Sequence, residues 1–192
     1  GILVINTSLL PQYSGPSPVQ AAIIKVEKET GLTIIKMDEK VDHGSIIAQF
    51  KEGIKPDDTT ESLTARLFLS GAKVLSTILP AYLEGRIRPR PQDDKKATYT
   101  KILQREDGYI DLQNPPAPQM FNRLVRALHP WPGVWSRLRL GSGGQARLIK
   151  FLPHQEIQVE GGKPMTPKDF LNGYPEAKPW LSKIFPKSGL NF

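Results

Sequence analysis

Apolar positions along the 192-residue chain recur first with the period of strands and then with that of helices. Residues 2–5 (Ile-Leu-Val-Ile) are a continuous apolar run, the pattern of a buried strand in a parallel sheet. The strand is expected to end near Asn6 and to enter a loop stiffened by Pro11, Pro16 and Pro18. Over 19–28, Val19, Ala22, Ile23 and Val26 fall at helical spacing and predict a short helix stopped at Gly31. Residues 32–37 and 45–50 are apolar and β-branched about a polar turn with Gly44, which predicts an antiparallel hairpin. A cap within 57–61, followed by Leu63, Leu67, Ala72, Val74 and Leu75, predicts an amphipathic helix reaching Leu83. Pro80 is expected to kink or split that helix, and Gly85 to close it.

From 86 to 100 the pattern changes. Alternating Arg and Pro (Arg86, Arg88, Pro89, Arg90, Pro91) among charged neighbours cannot bury a core and reads as a linker. Beyond it, 109–112 reads as a short strand and 117–128 as a helix with Pro118 in its first turn. Met120, Leu124, Val125 and Leu128 mark that helix's inner face, Arg123 and Arg126 its outer one. Short strands are expected at 138–140, 146–151 and 157–159 around Gly141, Gly143, Gly144, Gly161 and Gly162. Thr166 and Pro167 open a brief helix over 166–171, and the Pro- and Lys-rich stretch 175–192 shows no period.

Composition narrows the classes. The chain lacks cysteine, which excludes disulfides and thiolate metal sites, and His43, His129 and His154 show no metal-ligand spacing. No apolar run approaches the roughly 20 residues of a membrane span, and no signal-peptide pattern opens the chain, so a cytoplasmic protein without membrane contact is expected. The opening itself is unusual: the chain starts at Gly1 and enters a core-type strand at once, as a fragment or a protein without its amino-terminal half would. Charge is uneven. Through Glu84 there are eight Lys or Arg and ten Asp or Glu, whereas the rest holds eighteen and nine. An anionic partner, nucleic acid above all, is therefore expected for the second half.

Three stretches carry chemistry. Ser8-Leu9-Leu10-Pro11, followed by Gly15-Pro16-Ser17-Pro18-Val19-Gln20, leaves the carboxyl end of the first strand, where open α/β sheets bind ligands. Asp42-His43-Gly44 is an Asp-x-Gly turn in the hairpin loop. His129-Pro130-Trp131-Pro132-Gly133-Val134-Trp135 precedes the second group of strands, and its tryptophans are expected to pack a small core. Together these stretches resemble the folate-dependent formyltransferases, most closely the methionyl-tRNA formyltransferases, from Ser8 to about Tyr174. The stretch Pro91-Gln92-Asp93 with Thr98-Tyr99 also resembles that family where its catalytic domain gives way to its carboxyl-terminal one.

The resemblance implies an α/β fold: a partial Rossmann-like formyltransferase domain over 1–85, a basic Pro-rich linker over 86–103, and a small OB-like β-barrel over 104–192. It implies transfer of a formyl group from 10-formyltetrahydrofolate, with no metal, to the amine of methionyl initiator tRNA. It places the catalytic Asp at Asp42 and folate contacts at the backbone of Ser8, Leu9, Leu10 and Pro11. The family's Asn and His, aligned on the same loop, fall on Val4 and Asn6. Val4 offers no side-chain donor, while Asn6 keeps an amide that donates but does not titrate near neutral pH. The implied catalytic pair is therefore Asp42 and Asn6, and impaired. His43 is expected to be an exposed turn residue. Arg86, Arg88, Arg90, Lys95, Lys96 and Lys101 are the candidate tRNA contacts, since phosphates reward cations regardless of sequence. Two alternatives stand beside this reading: a sugar-nucleotide N-formyltransferase, and a non-catalytic remnant that binds tRNA or folate. The oligomeric state is left open.

Overall fold

The structure, a computed structural model, describes residues 1–139 and 145–186. The chain divides into two compact units, Gly1–Leu103 and Gln104–Phe192.

The first unit is built on a three-stranded sheet in the order β1 (Leu3–Asn6), β2 (Glu29–Lys36), β3 (Ser45–Gly53). Both pairings are antiparallel, with Asn6 opposite Thr33 and Thr33 opposite Gln49. The parallel, fully buried strand expected at 2–5 is thus corrected: Leu3, Val4 and Ile5 are half-buried and, among the described residues, pair antiparallel with β2. An apolar run reports burial but not the direction of its neighbour. The hairpin of β2 and β3 forms as expected, with its register shifting between Ile34 and Ile35.

Side-chain alternation gives β2 two occupied faces. Leu32 and Ile34, fully buried, share one face with helix α2 (Thr60–Leu83), whose Leu63 and Leu67 are also fully buried. Gly71 lets the helix approach, since a Cβ there would lie 2.5 Å from Leu32 Cδ1. Ala72, expected in the core, is exposed instead. Helix α2 is capped by Thr59, whose side chain accepts the Ser62 N–H. It runs through Pro80 as one element, although this proline removes one i→i−4 bond near the helix end. Beside its first turns, Arg66 donates twice to Asp58 (2.8 and 2.6 Å) and once to Glu52 (2.9 Å), tying helix to strand. Burial pushes the Asp58 carboxyl up, but Arg66, the Lys55 N–H and Ser62 outweigh it and bring it down to about 2.

Helix α1 (Pro18–Ile24) is shorter than expected and does not end at Gly31. Val26, at φ +62°, takes the left-handed position after the helix. Gly31 lies inside β2, where a Cβ would come within 2.2 Å of Phe50 O and 2.4 Å of Leu9 Cδ2. Its small size serves a close approach rather than a cap.

The second unit pairs β4 (Val134–Arg139), β5 (Ala146–Leu152) and β6 (Glu156–Val159) in one antiparallel sheet. Helices α3 (Pro118–Leu128), α4 (Pro167–Gly173) and α5 (Lys178–Ile184) accompany it. Phe121, fully buried on α3 and missed as an inner residue, meets Phe151 and Phe185 edge-on, with ring centroids 5.1 and 5.7 Å apart. Among the described residues this sheet does not close into the expected barrel. Residues 109–112 form no strand; Tyr109 makes a single parallel bridge to Trp135. Strand β4 starts four residues earlier than read, and Leu140, Gly141, Gly143 and Gly144 lie outside the described residues. Thr166 caps α4 as expected, accepting the Asp169 N–H. Trp131 does not pack a core, being 59% exposed, whereas Trp135 stacks edge-on against Tyr109 and donates from Nε1 to Arg105 O.

Candidate active site

The loop over 7–15 lies on the face of β2 opposite α2, above Gly31, Thr33 and Ile35. Three local causes hold it there. Leu9 crosses the gap left by Gly31. Leu10 is buried against Ile35, Ile46 and half-buried Val4. The fully buried Thr33 hydroxyl accepts the Leu10 N–H (3.1 Å) and donates to Ser8 O (2.6 Å). Gln49, opposite Thr33 on β3, completes the arrangement by donating to Leu10 O and to Thr33 Oγ1, each at 2.9 Å. Arg90 in turn donates to Gln49 Oε1 (3.3 Å), and its backbone bridges to Ile46.

The outer half of the loop is fastened by residues from the stretch read as a linker. Ser14 N–H donates to Thr98 O (2.8 Å), Thr100 N–H to Ser14 O (2.8 Å) and Thr98 N–H to Pro11 O (3.2 Å). Gly15, at φ +109°, lies against Thr100, whose carbonyl a Cβ would approach to 3.0 Å. Lys25 Nζ lies over the Tyr13 ring, and the Tyr13 hydroxyl bonds Glu27; burial first, then that partner, pushes its pKa up to about 12.

Asp42, at φ +53°, sits in the hairpin turn and accepts the Gly15 N–H on Oδ2 at 2.7 Å. The structure therefore brings the Asp turn to the Ser-Leu-Leu-Pro loop. Its Oδ1 has no partner among the described residues. Asn6 lies on β1 with its Oδ1 accepting the Ser8 hydroxyl at 2.8 Å, and its amide hydrogens have no partner among the described residues. No hydrogen bond among the described residues links Asn6 to Asp42. Val4, at the position opposite Ile35, packs the Leu10 cluster and supplies no donor. His43 is half-buried: its Nδ1 lies 2.6 Å from Asp38 Oδ2 and its Nε2 3.5 Å from Asp94 Oδ1. The bond to Asp38 raises the imidazole above its ordinary value.

The backbone of the four predicted folate contacts is largely occupied within the unit. Ser8 O, Leu9 O, Leu10 N and O, and Pro11 O all take part in bonds named above or to Gln12. Of the predicted RNA contacts, Arg86 pairs with Glu84 (2.6 Å) and Lys96 with Asp93 (3.4 Å). Arg90 donates to Gln49, and Arg88, Arg90, Lys95 and Lys101 are all exposed. Sequence reasoning missed Thr33, Gln49 and Gln92, which hold the loop and the turn. It also missed the exposed cations Arg137, Arg139 and Lys150 on β4 and β5. Alternation along β4 carried a signal for the arginines; nothing local marked the three polar residues. Among the described residues, no cluster of His, Asp and Glu could hold a metal, and no helix is long and apolar enough to cross a membrane.

The family model described as "Formyl transferase" matches residues 1–79. A methionyl-tRNA formyltransferase of Roseiflexus sp. is 47% identical over 139 residues, 72% of this chain and 42% of that protein. A methionyl-tRNA formyltransferase of Myxococcus xanthus is 31% identical over 210 residues, 95% of this chain and 67% of that protein. Among solved structures, HypX from Aquifex aeolicus in complex with tetrahydrofolic acid matches with a TM-score of 0.64 at 15% identity. The match covers 88% of this chain and 34% of that one, and it shows a shared fold. The chain spans about half the length of the curated relatives it matches. On this identity and coverage, the chain belongs to the formyltransferase family.

Proposed function

We propose that this chain transfers a formyl group from 10-formyltetrahydrofolate to the amine of methionyl initiator tRNA, with a weakened catalytic set. The observation that carries the reading is the 2.7 Å bond from Gly15 N–H to Asp42 Oδ2, which seats a carboxylate beside the folate-family loop. In the reaction the amine nitrogen bonds to the formyl carbon, and the carbonyl oxygen becomes an oxyanion. The bond to the folate N10 then breaks, with the amine giving up a proton and N10 taking one. Asp42 Oδ1 is the group available to take the amine proton. Asn6 Nδ2 is the donor available to the oxyanion.

Val4 and Asn6 explain the weakening. A family His at the position of Asn6 would both donate and titrate near neutral pH, and an amide does only the first. Val4 contributes packing alone. Loss of one oxyanion donor costs on the order of a hundred- to a thousandfold in rate. The basic second half, with Arg88, Lys95 and Lys101 exposed in the first unit and Arg137, Arg139 and Lys150 in the second, favours an RNA acceptor over a sugar nucleotide. Identity of 47% with a methionyl-tRNA formyltransferase supports the same choice.

The test offers the chain 10-formyltetrahydrofolate with methionyl initiator tRNA or with an amino-sugar nucleotide. Formyl-methionyl-tRNA as the sole product supports the reading. Formyl sugar would move it to the other acceptor, and binding of both substrates without transfer would leave a binding module.

A further inference from the structure

The Asp42 turn is an unfavourable piece of backbone held from outside. Asp42 itself lies at φ +53°, a conformation that a non-glycine residue adopts at a cost. Such strain persists only where surrounding groups over-determine it. Gln92 bonds the backbone of this turn directly, beside the Gly15 N–H on the Asp42 carboxylate and the Asp38 contact to His43. Its Nε2 donates one hydrogen to Asp42 O (2.7 Å) and the other to Gly44 O (2.9 Å), spanning the turn on both sides of His43. Gly44 is locked from the other side, because a Cβ there would fall 2.0 Å from Lys36 O. Two residues further on, Asp94 Oδ1 lies 3.5 Å from His43 Nε2, so the same short stretch contacts every residue of Asp42-His43-Gly44.

We propose that Gln92 is a positioning residue for the Asp42 carboxylate. The proposal rests on the reading of Asp42 as the catalytic group. Both hydrogens of one amide fix the two carbonyls that flank the turn, and this aims Oδ2 at the Gly15 N–H and leaves Oδ1 for the reacting amine. A single donor could hold one carbonyl and leave the turn free to rotate about the other. The side-chain length matters as well, since an Asn is one methylene too short to reach both oxygens.

Amide hydrogen exchange at Gly15, followed by NMR in Gln92→Ala and Gln92→Asn, tests this without any substrate. The expected result is Gly15 exchange about tenfold faster in both variants, with β2 and β3 amides unchanged. Where transfer is measurable, kcat should fall by a similar factor and KM for the folate should hold. Gly15 exchange unchanged in both variants overturns the proposal, and so does a uniform rise across β1, β2 and β3, which would mark general destabilisation. An inactive unsubstituted chain would count against the proposed reaction alone, because the Gly15 readout needs no turnover.

Discussion

Gly15 and Asp42, 27 residues apart, meet through a backbone N–H and a carboxylate oxygen at 2.7 Å. This bond closes the distance between a loop leaving β1 and a turn joining β2 to β3. Thr33 and Gln49 bond the loop from beneath, Thr98 and Thr100 from beside, and Gln92 bonds the turn from behind.

Thr33 is the anchor under the loop. Thr33→Val keeps the shape but strands the Leu10 N–H and the Ser8 carbonyl in a buried site. The expected loss is about 1–3 kcal/mol of stability, read as a lower urea midpoint with unchanged slope. A midpoint within error of the parent would contradict the anchoring role.

The pair of His43 and Asp38 sets a pH window. His43 is raised chiefly by its bond to Asp38, and Asp38 is lowered chiefly by the same bond. The raised His contributes stability in full below its unfolded value of about 6.5 and loses it as pH rises through the higher folded value. The lowered Asp contributes above about 4 and loses its share as pH falls through the lower folded value. An NMR titration should place the His43 ring above about 6.5, and Asp38→Asn should bring it back. An unshifted ring in the parent chain would refute the pairing.

Restoring the family residues should restore rate. Val4→Asn with Asn6→His is expected to raise kcat by about ten- to a hundredfold, since a titrating donor returns to the end of β1. Val4→Asn alone should cost about 1 kcal/mol of stability by opening the Leu10 cluster. No gain in kcat from the double variant, with the fold intact, would place the weakness elsewhere.

The RNA reading predicts steep salt dependence. Affinity for methionyl initiator tRNA should fall with a log–log slope of roughly −0.7 to −0.9 per phosphate contact. Because Arg86 and Lys96 are ion-paired, neutralising Arg88 and Lys95 should flatten the slope by about 1.4–1.8. A slope indifferent to both substitutions would move the contact surface away from this stretch.

Much of the local structure was legible because periodicity and caps are local. The hairpin, the long helix from Thr60, α3 behind Pro118 and the Thr166 cap all followed from residues within a few positions of one another. The errors came where one residue type serves two physical ends. Gly31 could cap a helix or admit a neighbour, and only the position of Leu9 decides for the second. Trp131 could pack or lie open, and it lies open. The run at 2–5 shows apolar surface without the direction of its partner. Asp42 and the Ser8–Pro11 loop were found through a family pattern. Thr33, Gln49 and Gln92 were not, because their partners lie 16 to 50 residues away and no spacing in the chain announces them.

The central claim is tested most directly by single-turnover formyl transfer from 10-formyltetrahydrofolate to methionyl initiator tRNA, comparing the chain with Asp42→Ala. The account predicts slow but measurable formation of formyl-methionyl-tRNA, reduced by about a hundredfold or more in the variant. Transfer at equal rates in the two proteins, or none by the parent chain while it binds both substrates, would contradict it.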